Sequence, residues 1–428
     1  MLDIKFVRDN PDLVKAGAVK KRLPDRVAVV DRVLALDVEL RALLPRIESM
    51  RAEQRQAGKA MGRLAAEERE CHLAAQKRLK EELQQLEDQE KDLRARLERE
   101  ALLLPNVPAP EVPEGKDDTE NQEVRRVGAV PAFGFTPRAH YEVGERQGWL
   151  DFERAANLAG SRNYFLFGEL AWLHDAVLRF AADHMSGKGF TLVDPPLLVR
   201  DLAMVGTAFF PGGEEQAYRC EKDELNLIGT AEVPVTSIHQ GEILDEADLP
   251  KRYVGRSACF RREAGTYGKD TRGLYRVHQF HKVEQVIVDV ADPEVSRRHH
   301  EEIVRNAEEV LQAFELPYRV VAVCGGDLGV PQIFKYDIEC WMPSRNHYGE
   351  THSASRFHDF QARRLNLRYR RKADGKVAFC HTLNNTVIAS PRILIALLEI
   401  HQQADGTVRL PKALVPYMRG KEVLGRPL

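Results

Sequence analysis

The sequence predicts an α+β fold: an antiparallel sheet with flanking helices, preceded by an N-terminal antiparallel coiled-coil arm. Three observations carry this. Two heptad-spaced apolar seams occupy the first quarter of the chain, and a proline-rich stretch follows them. Beyond it, strand-like and helical runs mix without the regular strand–helix alternation of a doubly wound parallel sheet.

Residues 1–25 read as a short helical lead-in. Val29, Val33, Leu36, Leu40, Leu43, Ile47 and Met50 then alternate steps of four and three, which is a heptad seam. The pattern weakens through Ala57 and Met61, and a reversal is expected near Gly62 to Ala66. A second seam follows at Leu79, Leu83, Leu86, Leu93 and Leu97, interrupted by Glu90; Pro45 should kink the first arm. The arm carries Arg46, Arg51, Arg55, Lys59, Arg63, Arg69, Lys77 and Arg78. These suit either a solvated spacer or contact with a phosphate backbone. Leu104 to Gly115 is a proline-rich linker that runs on through polar residues to Glu123. The expected organisation is a helical domain at 1–103 with its hairpin at about 27–103, a linker at 104–123, and a second domain at 124–428. In that domain Leu170 to Met185 and Glu294 to Phe314 are the clearest helices, and Phe190 to Val193 and Tyr318 to Val323 are strand-like.

The totals narrow the function. The 428 residues suggest two or three domains, and with 43% apolar residues a large core is available. Lys plus Arg number 63 against 65 Asp plus Glu, so a nucleic acid would have to meet a local basic patch. No run approaches the roughly 20 apolar residues that span a bilayer, so no membrane partner is expected. Met1 to Asp9 does not read as a signal peptide. The six cysteines are scattered with no Cys-x-x-Cys pair, which suggests reduced thiols and a cytoplasmic location.

Four clusters carry chemistry. Gly229-Thr230-Ala231-Glu232 follows the strand-like Leu225 to Ile228 and would equally serve as a turn and helix cap. Phe260-Arg261-Arg262-Glu263 ends one strand; a glycine-rich connection with Lys269 and Arg272 leads to a second strand from Leu274 to Val288. Strand side chains alternate faces, so Arg276, His278, Phe280, Lys282 and Glu284 should share one side. Cations, a flat ring and a carboxylate together suit a nucleotide beside an amino acid, although a structural salt-bridge ladder would use the same charges. Tyr348-Gly349-Glu350-Thr351-His352-Ser353-Ala354-Ser355 offers a carboxylate and hydroxyls as hard oxygen ligands suited to Mg²⁺. No second His or Cys stands near His352 at a zinc spacing. Finally, Thr382 to Arg392 leads into Ile393 to Leu398, with Ser390 as an N-cap and Pro391 in the first helical position. Arg392 would then sit in the first turn, where the helix dipole disfavours a cation by about 0.3–1 kcal/mol, so an anion should lie nearby. Neither a Gly-x-x-x-x-Gly-Lys-Ser/Thr loop nor a Rossmann glycine fingerprint occurs.

These motifs resemble those of class II aminoacyl-tRNA synthetases, most nearly the bacterial-type seryl-tRNA synthetase family. Phe260-Arg261-Arg262-Glu263 with Arg276-x-x-x-Phe280 resembles motif 2 of the class, and Pro391-Arg392 motif 3. Lys188 through Pro196 resembles the dimer-forming motif 1. The seryl likeness rests on Gly229-Thr-Ala-Glu-Val-Pro, His278 to Glu284, Asp359-Phe-Gln-Ala-Arg-Arg364 and Thr382-Leu-Asn384, and the arm is also similar to the family's tRNA-binding hairpin. The resemblance implies a class II catalytic domain that activates serine with ATP and passes it to the 3′-end of tRNA(Ser), with tRNA(Sec) open as a second substrate. It implies Arg261, Glu263 and Arg392 as catalytic residues. It implies a serine pocket of Thr230, Ala231, Glu232, Arg261, Glu284, Asn384 and Thr386. The implied ATP site comprises Arg261, Arg262, Glu263, Val277, Phe280, Glu350, Thr351, His352, Ser353 and Arg392. Mg²⁺ would accompany ATP on Glu350 and Ser353, without zinc, in a homodimer. The sequence departs from the commonest family pattern at Glu350-Thr-His-Ser353, Arg356 and Asn385-Thr386. Two other readings stay open: a catalytically dead RNA-binding paralogue, and an amino acid ligase acting on a carrier protein. Retention of Arg261, Glu263, Glu284 and Arg392 weighs against the first, and the long arm against the second.

Overall fold

The computed structural model describes residues 1–60, 66–265 and 272–427. Two compact units divide the chain, Met1–Val107 and Pro108–Leu428. The reversal expected at Gly62 to Ala66 falls almost wholly outside the described residues, as do Met61, Arg63 and Lys269.

The first unit is helical: α1 (Ile4–Asp9), α2 (Pro11–Lys20), α3 (Asp25–Ala60) and α4 (Ala66–Leu103). The heptad seams bring α3 and α4 together. Val29, Val33, Leu36, Leu40, Leu43 and Ile47 are buried on one helix, and Leu83, Leu86, Leu93 and Leu97 on the other. Arg32 pairs with Glu100 and Arg51 with Glu87, so the partners run in opposite directions along the two helices. Such exposed pairs set register more than they add stability. α3 continues through Pro45. The bidentate Arg8–Asp37 pair, at 2.7 and 2.8 Å, ties α1 to α3. Arg46, Arg55, Lys59, Arg69, Lys77 and Arg78 are all exposed.

The second unit is organised by one eight-stranded sheet. Its strands are β1 (Gln122–Val127), β2 (Thr191–Val193), β3 (Lys251–Phe260), β4 (Gln279–Asp289), β5 (Tyr318–Ala322), β6 (Phe334–Met342), β7 (His347–His358) and β8 (His381–Ser390). They lie in the order β1-β5-β6-β7-β8-β4-β3-β2. Every pairing is antiparallel except β2 with β3. Valine, isoleucine and leucine from the inner strands pack with the helices α5 (Gly168–Gly187), α6 (Pro293–Ala313) and α7 (Arg392–Ile400) in a single core. No helix among the described residues is long and apolar enough to cross a membrane.

The proline-rich stretch is not a free tether. Val112 packs with Leu328, Ile333 and Phe334, and Glu111 pairs with the buried Arg356 at 2.6 Å. Proline prevents regular hydrogen bonding there, but an extended segment can still bury an apolar side chain and a charge pair.

Register positions the functional residues. Across β3–β4, Cys259 faces Phe280 and Gly255 faces Glu284. Across β4–β8, Glu284 faces Thr386 and Val286 faces Asn384, with a bulge between Val283 and Glu284. Gly255 permits a close approach: a Cβ there would lie 2.8 Å from Val235 and 2.9 Å from Ala231. A bare backbone at that point lets the segment Gly229–Thr236 lie flat on the sheet.

Candidate active site

Four chain-distant segments converge on one cavity of about 260 Å³. Phe280, Lys282 and Glu284 of β4 form its floor, and Arg261 and Glu263 enter from just beyond β3. Glu350, Thr351 and Ser353 of β7 and Asn384, Thr386 and Arg392 from β8 and the start of α7 complete the wall with Thr230 and Glu232. Four cationic side chains (Arg261, Arg276, Lys282, Arg392) face four carboxylates (Glu232, Glu263, Glu284, Glu350).

One end is a buried acidic nest. Glu284, 2% exposed, accepts from the Thr230 hydroxyl, from the Glu232 backbone N–H at 3.0 Å and from Asn384 Nδ2 at 3.1 Å, and pairs with Lys282 Nζ at 2.7 Å. Burial, with the charge of Glu284, pushes the Glu232 carboxyl up to about 7 against the opposing pull of Gln361, Lys282 and Asn384. Burial disfavours the charged carboxylate first, and repulsion from a second carboxylate in so small a space adds to it.

The other end is cationic. Arg261 donates from Nε to the Gly229 carbonyl at 3.2 Å, and its guanidinium lies 5.1 Å from the centre of the Phe280 ring. Arg392 donates to the carbonyls of Tyr275 at 3.1 Å and Glu350 at 3.0 Å and lies 4.5 Å above the Tyr275 ring. Burial works to raise the Glu350 carboxyl, but Arg392, Lys335 and Arg261 together hold it below its ordinary range. The anion expected beside Arg392 is therefore Glu350, whose carboxylate approaches it to 4.0 Å.

Some expected positions differ. β4 begins at Gln279, so strict alternation stops short of Arg276, which lines the cavity all the same. Val277 consequently lines the cavity, whereas the His278 ring turns to the Arg261 carbonyl at 3.1 Å. Arg262 is exposed and outside the cavity lining. Ala231 is buried beneath it against Val235 and Val286. His352 points to the opposite face of β7, with Nε2 at 3.0 Å from the Val387 carbonyl, and burial lowers it to about 4. Ser390 does not cap α7: it ends β8, and its hydroxyl meets His174 Nδ1 at 2.8 Å. Helical geometry begins at Arg392, after Pro391. Tyr275, Phe209, Gln332 and Ser355 also line the cavity. Tyr275 neighbours Arg276 in the same charged stretch, and Ser355 ends the hydroxyl-rich run from Tyr348, so both carried a signal; Phe209 and Gln332 carry none, because folding alone brings them in. Among the described residues no group of three or more His, Cys, Asp or Glu could hold a metal ion.

A catalytic cavity on an antiparallel sheet, with arginines from the β3–β4 connection and from the start of α7, defines a class II aminoacyl-tRNA synthetase core. Residues 218–401 match the tRNA synthetase class II core domain (G, H, P, S and T), and residues 1–108 match the seryl-tRNA synthetase N-terminal domain. The serine–tRNA ligase of Deinococcus radiodurans is 49% identical over 428 residues, covering 100% of both chains. The crystal structure of seryl-tRNA synthetase from Pyrococcus horikoshii complexed with ATP superposes with a TM-score of 0.94 at 42% identity, again over 100% of both chains. The cytoplasmic serine–tRNA ligase of Naegleria fowleri in complex with AMP gives 0.88 at 30% identity over 99% of each. The chain belongs to the seryl-tRNA synthetase family.

Proposed function

We infer that this chain activates serine with ATP and transfers the seryl group to the 3′-end of tRNA(Ser). The observation that carries this is the pairing of an acidic nest around Glu284 with two arginines across one small cavity. In the first step a serine carboxylate oxygen bonds to the α-phosphorus, and the bond to the bridging oxygen of pyrophosphate breaks. In the second, a hydroxyl of the terminal ribose attacks the seryl carbonyl and AMP departs. Neither step needs a protein nucleophile, so catalysis is positioning and charge neutralisation.

The residue roles follow from this reading. Arg261 neutralises the α-phosphate, and Phe280 offers its face to adenine with Arg392 on the other side. Glu263 and Val277 border the adenine, while Thr351 packs behind Glu350. Glu232 and Glu284 surround the serine amine and hydroxyl with Thr230 and Asn384, and Thr386 closes the pocket. A site that must pair a substrate hydroxyl rejects alanine by about 10⁴-fold, because buried polar groups are otherwise left unpaired.

Mg²⁺ is part of the proposal. Glu350 and Ser353 present hard oxygen atoms to the cavity, and Asp337, opposite Ser353 across β6–β7, has a buried Oδ1 without a hydrogen-bond partner. That donor chemistry fits a small divalent cation held also by substrate phosphates. When bound, the ion would supply charge neutralisation at the phosphates, with Glu350 and Ser353 as its protein ligands.

The arm formed by α3 and α4 is proposed to hold tRNA through its exposed cations, with tRNA(Sec) as a second substrate to assay. A homodimer is proposed through the Lys188–Pro196 stretch, supported by the exposed Leu192 within it. A cytoplasmic location is proposed on the strength of six free cysteines. ATP–pyrophosphate exchange measured with each of the twenty amino acids tests the central claim. Serine alone should stimulate it, and equal stimulation by alanine or threonine would refute the pocket assignment.

A further inference from the structure

Gln361 stands behind the cavity rather than in it, on a short helix, Phe360–Leu365, and is wholly buried. Its Nε2 donates to Glu232 Oε1 at 2.7 Å and to the Thr207 carbonyl at 3.3 Å. Its Oε1 accepts from the Thr382 hydroxyl at 2.7 Å. A carboxylate only accepts, so the amide orientation is fixed, and every polar atom of the side chain is in use. The groups that face Glu232 are Glu284 and Lys282 from β4, Asn384 from β8, and Gln361.

Glu284 already receives four donors from the protein. Glu232 has more accepting capacity to spare, which makes it the better partner for an incoming ammonium group. Its carboxyl, raised to about 7 by burial and by Glu284, is poised between charged and neutral forms. A neutral Glu232 would lose most of its attraction for that ammonium group.

We propose that Gln361 is a positioning residue for amino acid recognition: its amide, braced by Thr382, aims the Glu232 carboxylate into the cavity as acceptor for the ammonium group of serine. This rests on the assignment of Glu232 to the serine pocket given above. The Gln361 N–H favours the charged carboxylate, so removing it moves Glu232 further up and leaves it mostly neutral at pH 7. Raising the pH restores the charge.

The test is the KM for serine and for ATP in ATP–pyrophosphate exchange, from about pH 6.5 to about pH 8.5, where free serine, whose amine is more basic than a chain-terminal α-amino group at about 7.7–8.0, remains mostly an ammonium ion. Gln361→Met should raise the serine KM at pH 7 by about tenfold, the value of one hydrogen bond to a charged group, with the ATP KM unchanged. The defect should shrink towards the upper end of the pH range. A wild-type serine KM, or a rise that does not vary with pH, overturns the proposal; the latter is what a merely structural role would give. Glu232→Gln separates the two layers. If it leaves the serine KM normal, the assignment of Glu232 and the proposal fall together. If it is defective while Gln361→Met is normal, the proposal alone falls. Should Gln361→Met fail to fold, Thr382→Val removes only the brace and should give a smaller rise, about threefold, with the same pH recovery. A pH-independent effect or none in that variant counts equally against the idea.

Discussion

Replacing Arg261 by alanine is the most direct probe of the site. The cavity balances four cations against four carboxylates before any substrate enters, so the variant leaves a net negative site to receive a triphosphate. A guanidinium about 4 Å from the α-phosphate, at an effective dielectric constant of about 20, contributes about 4 kcal/mol. If most of that develops as the in-line transition state forms, exchange should fall by about 10³-fold, in kcat more than in the KM for ATP. Arg261→Lys keeps the charge but loses the Nε bond to the Gly229 carbonyl and the guanidinium placed 5.1 Å over the Phe280 ring. An intermediate loss of about 10–100-fold is expected there, because lysine does not reproduce a stacked guanidinium. Serine-dependent ATP–pyrophosphate exchange at saturating substrates measures both. Exchange within tenfold of wild type in Arg261→Ala would refute the assigned role. So would a defect confined to tRNA charging.

Deleting residues 27–103 should leave exchange near normal and reduce tRNA charging by at least about 10²-fold, since the arm is proposed to act on nucleic acid only; retained charging would make it a spacer. Raising salt should weaken tRNA binding steeply and serine binding little, and equal slopes in filter binding and calorimetry would argue against phosphate contacts. His299 is held up at about 8 by Asp289 and Glu302. A raised folded-state value means that its stabilisation is complete below about pH 6.5 and is lost as pH climbs through about 8, an effect of about 2 kcal/mol. Denaturation midpoints at pH 6 and 9 should show the loss in wild type and not in His299→Gln. Glu399 is fully buried and accepts from His140 Nδ1 at 2.7 Å, from the His140 backbone at 3.0 Å, and from the Ser344 backbone and hydroxyl at 2.9 and 2.8 Å. Glu399→Ala strands these donors and should destabilise the second unit by about 3–5 kcal/mol in thermal unfolding, whereas Glu399→Gln should lose much less.

Local spacing determined a good deal on its own. The heptad steps from Val29 to Ile47 and from Leu83 to Leu97 encode which helix face is buried, because a helical period repeats within a few residues. Arg392 at a helix start demanded an anion, and Glu350 supplies it. Residue chemistry also singled out Arg261, Phe280 and Glu284, whereas Thr230 stood out only through the family resemblance.

Tertiary structure decided what lies between chain-distant segments. Where β4 begins sets which of Val277 and His278 meets the cavity, and the sequence alternation is the same for either start. The outward turn of Arg262, the burial of Ala231 beneath the cavity and the rear-facing His352 depend on neighbouring strands. Tyr275 beneath Arg392, and Gln361 behind Glu232, join residues more than a hundred positions apart. Such contacts are fixed by sheet register, by the bulge at Val283–Glu284 and by the bare backbone of Gly255. A one-dimensional pattern carries the period of each element, but the phase between elements is settled only when their side chains pack.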